Sequence, residues 1–174
     1  RPMKTYGVEA IVPPSLASAK QTDTTQRFKV HLQTRDGLDL STKIEYSRRG
    51  FQGEVRSEPV TVSISQEYRM APVIVPHYTA ASAFEQKLAA LAGRHETEAR
   101  DLFDLHHLIS FLPGGYLPRS GAKLLKAAAD RAGSISFECY RESVVAYLRV
   151  EDQVLFGREE VWEGIKRAVL EILE

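Results

Sequence analysis

Two aspartates and a lysine on neighbouring amphipathic segments are the residues whose types and spacing are suited to joint chemistry. Lys87 lies in a segment whose apolar residues recur every three to four positions, and Asp101 and Asp104 lie in the next such segment. Because the two acids are three residues apart, they share one face of a helix. Carboxylates can bind a metal ion or accept a proton, and an ammonium group beside them can bind a phosphate. The spacing therefore indicates a candidate polar site on these two helices.

The same spacing is also typical of ordinary surface helices. An aspartate near a helix N-terminus gains about 0.3–1 kcal/mol from the helix dipole, and Lys87 with Glu85 can form a solvated face. Two acids on one face repel each other by only a few tenths of a kcal/mol. Spacing alone therefore leaves a functional site and a solvated surface both open.

Periodicity and capping signals place the two helices that carry these residues. The first is predicted over about 80–92, with Gly93 as a left-handed C-terminal cap. The second begins after Thr97, which is predicted as its N-cap, and His107 extends its acidic face by another three residues. The apolar stripes that should be buried are Phe84, Leu88 and Leu91 on the first helix, and Leu102, Leu105 and Ile109 on the second.

The rest of the chain divides by its hydrophobic period. Before Tyr78 the period is two, which indicates strands; after it the period is about 3.6, which indicates helices. Strands are predicted at 5–12, 28–33, 42–47, 60–64 and 71–75, a loop at 16–25, a hairpin turn at Asp36-Gly37, and later helices at 121–131 (capped by Ser120), 137–149 and 158–173. Strands followed by segregated helices favour the α+β class, with a β-rich domain at 1–76 and a helical domain at 77–174.

Composition narrows the class of protein. The 174 residues carry 23 basic and 23 acidic side chains, so bulk charge does not call for a polyanionic partner. Cys139 is the one cysteine, which rules out an internal disulfide and suits a reducing cytoplasm. The sequence has no run of about 18 apolar residues, so no membrane association is expected. It opens Arg1-Pro2-Met3, so either Met3 is the natural start or this is the later part of a longer polypeptide.

Two ordered motifs resemble a known family. The segment EQKL at 85–88, followed by ARDLFDL at 99–105, is similar to the closing motif of the AbiEii-type (abortive infection) nucleotidyltransferase toxins. In that family an E-K-L-like helix precedes R-D-L-Y-D-L, so Phe103 replaces the usual tyrosine. The segment KIEYSRR at 43–49 is similar to the family's K-[IL]-E-[IV]-S-R strand. The order and separation of the blocks also match, and the resemblance covers about 27–112.

The resemblance implies a fold and a reaction. The fold would be a nucleotidyltransferase-like mixed or antiparallel sheet, a partial palm, followed by a C-terminal helical bundle. The reaction would be Mg²⁺-dependent transfer of a nucleotide from an NTP to RNA, such as a tRNA acceptor, or to protein. The implied partner is the cognate antitoxin of a type IV-like toxin–antitoxin system.

The resemblance also implies roles for five residues. Glu45 would support the metal, and Lys43 on the same strand face would meet phosphate. Lys87 would steady the triphosphate, and Asp101 would be a base or an organiser of the site. Asp104 matches the second acid of the motif, where a structural role and a catalytic role are equally open. An exposed polar strand face remains the alternative for Lys43 and Glu45, and Lys87 and Asp101 are expected to face the side of the sheet that carries them.

One part of the family pattern is missing. Upstream of Lys43 there is no Gly-Gly or Gly-Ser turn and no D-x-D strand. Family members carry that half before the point at which this sequence begins, so the chain is expected to hold the C-terminal portion of the site and not to turn over nucleotide alone. The alternative hypothesis is a non-catalytic remnant that binds a partner or a nucleic acid through its helical half.

Overall fold

The computed structural model describes residues 15–33, 37–48, 50, 53–67 and 69–174. The strand predicted at 5–12 and Asp36 of the predicted turn lie outside these residues. Contacts divide the chain into two compact units, one comprising 1–52 and 57–76, the other comprising 53–56 and 77–174. Each unit is described by itself below.

An antiparallel sheet forms much of the first unit. Its strands are β1 (Ser15–Gln21), β2 (Thr25–Gln33) and β3 (Asp39–Ser47), in the order β1-β2-β3. β2 and β3 pair in an unbroken register from Thr25 opposite Ser47 to Gln33 opposite Asp39, which confirms the predicted hairpin. Gly37, in their connection, has φ +79°, a backbone conformation that glycine adopts without steric cost.

The loop predicted at 16–25 is wrong, because most of that segment is strand β1. β1 pairs with β2 by backbone hydrogen bonds, with an irregularity between Ser18 and Lys20. A tight turn returns the chain: Thr22 and Thr25 exchange backbone hydrogen bonds, and the Thr22 hydroxyl accepts a further one from the Thr25 N–H at 3.1 Å. Backbone pairing is open to a polar sequence, so the Ser/Thr-rich composition did not exclude a strand here.

The strand predicted at 60–64 is also wrong. The structure has β4 at Val55–Pro59, a short helix α1 at Val62–Glu67 and β5 at Ile74–Tyr78, with β4 and β5 paired as a two-stranded sheet. Val62 and Ile64 are exposed on α1, so their alternation does not mark a buried strand face. The apolar strand predicted at 71–75 is displaced by three residues and becomes β5.

Helices form most of the second unit. They are α2 (Ala80–Gly93), α3 (Ala99–Ile109), α4 (Ala122–Ser134), α5 (Phe137–Ser143), α6 (Val150–Phe156) and α7 (Glu159–Leu173), with a 3₁₀ turn at Val145–Tyr147. The single helix predicted at 137–149 is therefore interrupted. The break is at Val144, whose φ of −123° and ψ of −62° leave the helical region, and it allows Val144 and Val145 both to be buried.

Two predicted caps of the α2–α3 connection are wrong. Gly93 is the last residue of α2 and is not left-handed; the C-cap is Arg94, with φ −68°. The N-cap of α3 is Glu98, because the Thr97 hydroxyl accepts a hydrogen bond from Arg131 at 3.3 Å instead of capping the helix.

The core of the second unit is apolar and contains the predicted stripes, except that Ile109 is only partly buried and packs against it. Trp162 is fully buried and stacks on Tyr140, with ring centroids 4.3 Å apart and planes 12° from parallel, so its role is core packing. The buried α2 and α3 residues of this core are Phe84, Leu88, Leu91, Ala99, Leu102 and Leu105.

None of the helices in the described part of the chain has the length and apolar composition that a membrane-spanning helix needs.

Candidate functional site

Asp101 is a fully buried carboxylate at the centre of the α2–α3 pair. Its Oδ1 accepts a hydrogen bond from Lys87 Nζ at 3.2 Å, and its Oδ2 accepts one from Arg94 Nε at 2.5 Å. A buried charge is costly unless it is paired and hydrogen-bonded. Both oxygens of Asp101 are paired, so the acid fixes two cations in place.

Lys87 also contacts the second acid of α3. Its Nζ lies 2.5 Å from Oδ2 of Asp104, so one ammonium group bridges Asp101 and Asp104. The sequence placed the two acids on one face, and the shared lysine confirms that placement. Lys87 is 33% exposed and Asp104 36%, in contrast to the buried Asp101, so this second ion pair is open to solvent.

Arg94 is a functional candidate that the sequence analysis did not single out. It follows α2 directly, and besides Asp101 it contacts Glu98 at 2.9 Å; Glu98 in turn contacts Arg100 at 2.8 Å. The sequence feature that could have pointed to it is its place in the short α2–α3 connection, seven residues before Asp101, the aspartate that it binds. The chain of ion pairs fixes the connection between α2 and α3, whose predicted side-chain cap is absent.

A cavity of about 490 Å³ lies beside these residues, within the second unit. Its wall is divided by chemistry. The polar lining residues are Gln86, Lys87, Arg94, Asp101 and Asp104. The remaining lining residues are apolar or carry rings: Tyr78, Ala83, Ala90, His107 and Leu108. With two aspartates against one lysine and one arginine, the formal charge of the wall is balanced.

Lys43 and Glu45 lie on β3 in the first unit, on the same face of the strand. Glu45 forms a salt bridge to Arg27 across the β2–β3 pair at 2.7 Å, and Lys43 is directly opposite Lys29. All of these side chains are at least partly exposed. That Lys87 and Asp101 face Lys43 and Glu45 stays a prediction.

The described residues do not by themselves complete a Mg²⁺ site. They contain no group of three or more His, Cys, Asp or Glu side chains arranged to hold an ion. Both oxygens of Asp101 are bonded to cations, and Oε2 of Glu45 is bonded to Arg27. Carboxylate oxygens are the ligands that Mg²⁺ prefers, and here these three oxygens are bonded to lysine or arginine instead.

Glu85 forms a second polar cluster on α2. It accepts hydrogen bonds from the Tyr116 hydroxyl, the Arg119 N–H and the Ser120 hydroxyl at 2.6–2.7 Å. Burial alone would raise the pKa of Glu85, but these hydrogen bonds outweigh it and hold the pKa below its usual value of 4.5. Burial and the bond to Glu85 raise the pKa of Tyr116. Ser120 is therefore not the predicted cap of α4, whose N-cap is Gly121.

Comparisons with known proteins place the chain in a family. Residues 5–168 match the family described as Nucleotidyl transferase AbiEii toxin, Type IV TA system. No curated protein sequence matches this chain.

Two solved structures have a similar fold. The crystal structure of JHP933 from Helicobacter pylori aligns with a TM-score of 0.51 and 21% sequence identity, over 94% of this chain and 66% of that one. A candidate nucleotidyltransferase from H. pylori aligns with a TM-score of 0.50 and 20% identity, over 91% and 66%. This chain therefore spans slightly less than two thirds of the length of each. At this identity the likeness shows the fold alone, and it supports the predicted α+β class.

Proposed function

Because this chain belongs to the family of AbiEii nucleotidyltransferase toxins of type IV toxin–antitoxin systems, we propose that the cavity beside Lys87 holds the phosphates of an NTP during nucleotidyl transfer. The observation that carries the proposal is the position of Lys87. Its ammonium group lies on the cavity wall, partly exposed, between the buried Asp101 and the partly exposed Asp104. A lysine held this way is fixed at its inner side and open to a ligand at its outer side.

Phosphate would replace Asp104, not Asp101, as a partner of Lys87. Asp104 is 36% exposed, so water can solvate its carboxylate once Lys87 turns to the ligand. Asp101 is buried, and leaving it without Lys87 would cost several kcal/mol. Asp101 therefore keeps Lys87 and Arg94 in position while the outer ion pair exchanges.

The same exchange frees Asp104 to act as a base. In the proposed step an acceptor hydroxyl oxygen bonds to the α-phosphorus of the NTP, the bond between that phosphorus and the bridging oxygen to the β-phosphorus breaks, and pyrophosphate leaves. Asp104 takes the hydroxyl proton, a role that its partly exposed carboxylate permits. Asp101 has no free oxygen for that role and is assigned as a positioning residue.

Other participants follow from family membership and remain proposals. They are Mg²⁺, an RNA or protein acceptor, and a cognate antitoxin. The resemblance offers Glu45 to the metal and Lys43 to phosphate, but the described residues do not assemble a metal site, so no step is assigned to the ion here.

The test measures NTP binding and transfer with the protein expressed from its native gene. Binding of each Mg–NTP is followed by calorimetry, and transfer is followed with NTP labelled at the α-phosphate, using total RNA or protein as acceptor. Lys87→Gln should weaken binding about ten- to hundredfold, since a charged hydrogen bond is worth about 1.5–3 kcal/mol. Asp104→Asn should bind NTP more tightly, because it removes the carboxylate that competes for Lys87, and should slow transfer by about 10²–10⁴.

Lys126→Gln is the matched control, because Lys126 is an exposed lysine of α4 that does not line the cavity. Equal NTP affinities for the Lys87 and Lys126 variants would remove Lys87 from the site. If the wild-type protein binds no NTP, the result would favour the alternative, a non-catalytic module that binds a partner or a nucleic acid.

A further inference from the structure

We infer that the end of the cavity bounded by Tyr78 and His107 takes the nucleobase of the NTP, an inference that rests on the function proposed above. Along the helix pair, part of the cavity wall is charged and part is apolar and carries rings. A nucleotide likewise has charged phosphates at one end and an aromatic base at the other. The argument depends on where the ring-bearing residues lie relative to Lys87 and Arg94.

The contacts show that α2 and α3 run antiparallel. Arg94, just after α2, contacts Asp101 near the start of α3, whereas Lys87, about two turns earlier, also contacts Asp104. Residues nearer the start of α2 therefore lie beside residues nearer the end of α3. Tyr78, two residues before α2, and His107, near the end of α3, therefore lie at the same end of the pair.

This places the two rings at one end of the cavity and Arg94 at the other, with Lys87 and Asp104 between them. From Asp101 to His107 is six residues, or about 9 Å along a helix that rises about 1.5 Å per residue. Around the rings the wall is apolar, through Ala83 and Leu108. A cavity of about 490 Å³ lies within the range of small-molecule pockets, which are mainly apolar with a few convergent polar groups.

His107 is supported as a stacking surface. Its ring contacts Phe111 one turn later, with centroids 5.3 Å apart and an interplanar angle of 62°. His107 is exposed and also lines the cavity, so one part of the ring is held by Phe111 and another remains accessible. Bases stack on aromatic side chains irrespective of base identity. Gln86, on the same wall, supplies an amide that can donate or accept hydrogen bonds with a base edge.

The experiment separates base recognition from phosphate recognition. Calorimetry measures the affinity of the full chain for each ribonucleoside triphosphate and, separately, for inorganic tripolyphosphate. His107→Ala should weaken binding of the best NTP about fivefold or more, the lower limit for loss of one stacking contact. It should leave tripolyphosphate affinity within about twofold, and His107→Phe should restore NTP affinity because the ring is retained.

His95→Ala is the matched control, since His95 is an exposed histidine of the α2–α3 connection that does not line the cavity. Circular dichroism checks that each variant is folded. The inference is overturned if His107→Ala leaves NTP affinity unchanged while Lys87→Gln weakens it, a result that leaves the proposed function standing. Equal losses for NTP and tripolyphosphate in His107→Ala also overturn it, because the ring would then act at the phosphates. A wild-type chain that binds neither probe overturns both proposals.

Discussion

Asp101→Asn tests whether one buried carboxylate holds the α2–α3 pair together. Two charge-assisted hydrogen bonds end on Asp101, and each is worth about 1.5–3 kcal/mol. Lys87 and Arg94 are about one third exposed and keep second partners, Asp104 and Glu98, so water and these acids recover part of the loss. We therefore expect a loss of about 2–3 kcal/mol in unfolding free energy, below the roughly 3–5 kcal/mol for a buried pair left uncompensated.

The assay is urea and thermal unfolding followed by far-ultraviolet circular dichroism, which reports on the helices of the second unit. For a chain of this length each kcal/mol shifts the midpoint of thermal unfolding by about 2–4 °C, so the Asp101→Asn midpoint should fall by about 4–12 °C. Asp104→Asn is the control: it removes a carboxylate of the same helix face whose ion pair is exposed, so its cost should stay below about 1 kcal/mol. If the unfolding free energies of the two variants differ by less than about 0.5 kcal/mol, burial of Asp101 does not determine how strongly its ion pairs stabilise the protein, and the reasoning fails.

Two further predictions concern groups outside the cavity. The folded-state pKa of Glu85 is lowered, so its contribution to stability is fully present above its unfolded pKa of 4.5 and is lost as pH falls through the folded value. The difference in unfolding free energy between wild type and Glu85→Gln should accordingly shrink below pH 4.5, and parallel pH profiles would contradict this. The Tyr140 hydroxyl is buried without a hydrogen-bond partner among the described residues, so Tyr140→Phe should be neutral or stabilising by about 0–1 kcal/mol in the same unfolding assay. Burial raises the pKa of Tyr140 to about 12 from 10.0, so the variant should also lack the loss of stability expected as pH rises between these values; a clear loss of stability at neutral pH would refute the assignment.

Local periodicity predicted the parts of the fold that depend on burial along one element. Apart from the partly buried Ile109, the stripes on α2 and α3 are buried, because a helix that packs on one side repeats its apolar residues every 3.6 positions. The shared face of Asp101 and Asp104 follows from the same geometry, and the α2 and α7 boundaries lie within a residue of their predicted positions. These features need no knowledge of distant residues.

The predictions that failed depend on contacts between residues far apart in sequence. Thr97 and Ser120 have the side chains of N-caps, but each hydroxyl is bonded to a residue 34 or 35 positions away, to Arg131 and Glu85. β1 is a strand because β2 returns beside it, and its own composition carries no strand pattern. Arg94 was missed for a different reason: it lies only seven residues before Asp101, but the sequence did not show that this carboxylate is buried and needs a second cation.

The charge balance of the cavity wall separates the proposed roles of the two aspartates. Two acids against two cations give an unliganded wall no net attraction for a polyphosphate, so an anion gains a contact to Lys87 only by displacing Asp104. Removing the Asp104 charge should thus tighten NTP binding while it slows transfer, because the competitor and the base are the same group. Removing the Asp101 charge should instead weaken binding, because Lys87 and Arg94 lose the residue that positions them. The geometry therefore requires that NTP affinity rises when the Asp104 charge is removed and falls when the Asp101 charge is removed. If the two acids were only part of a solvated helix face, neither change in NTP affinity would occur.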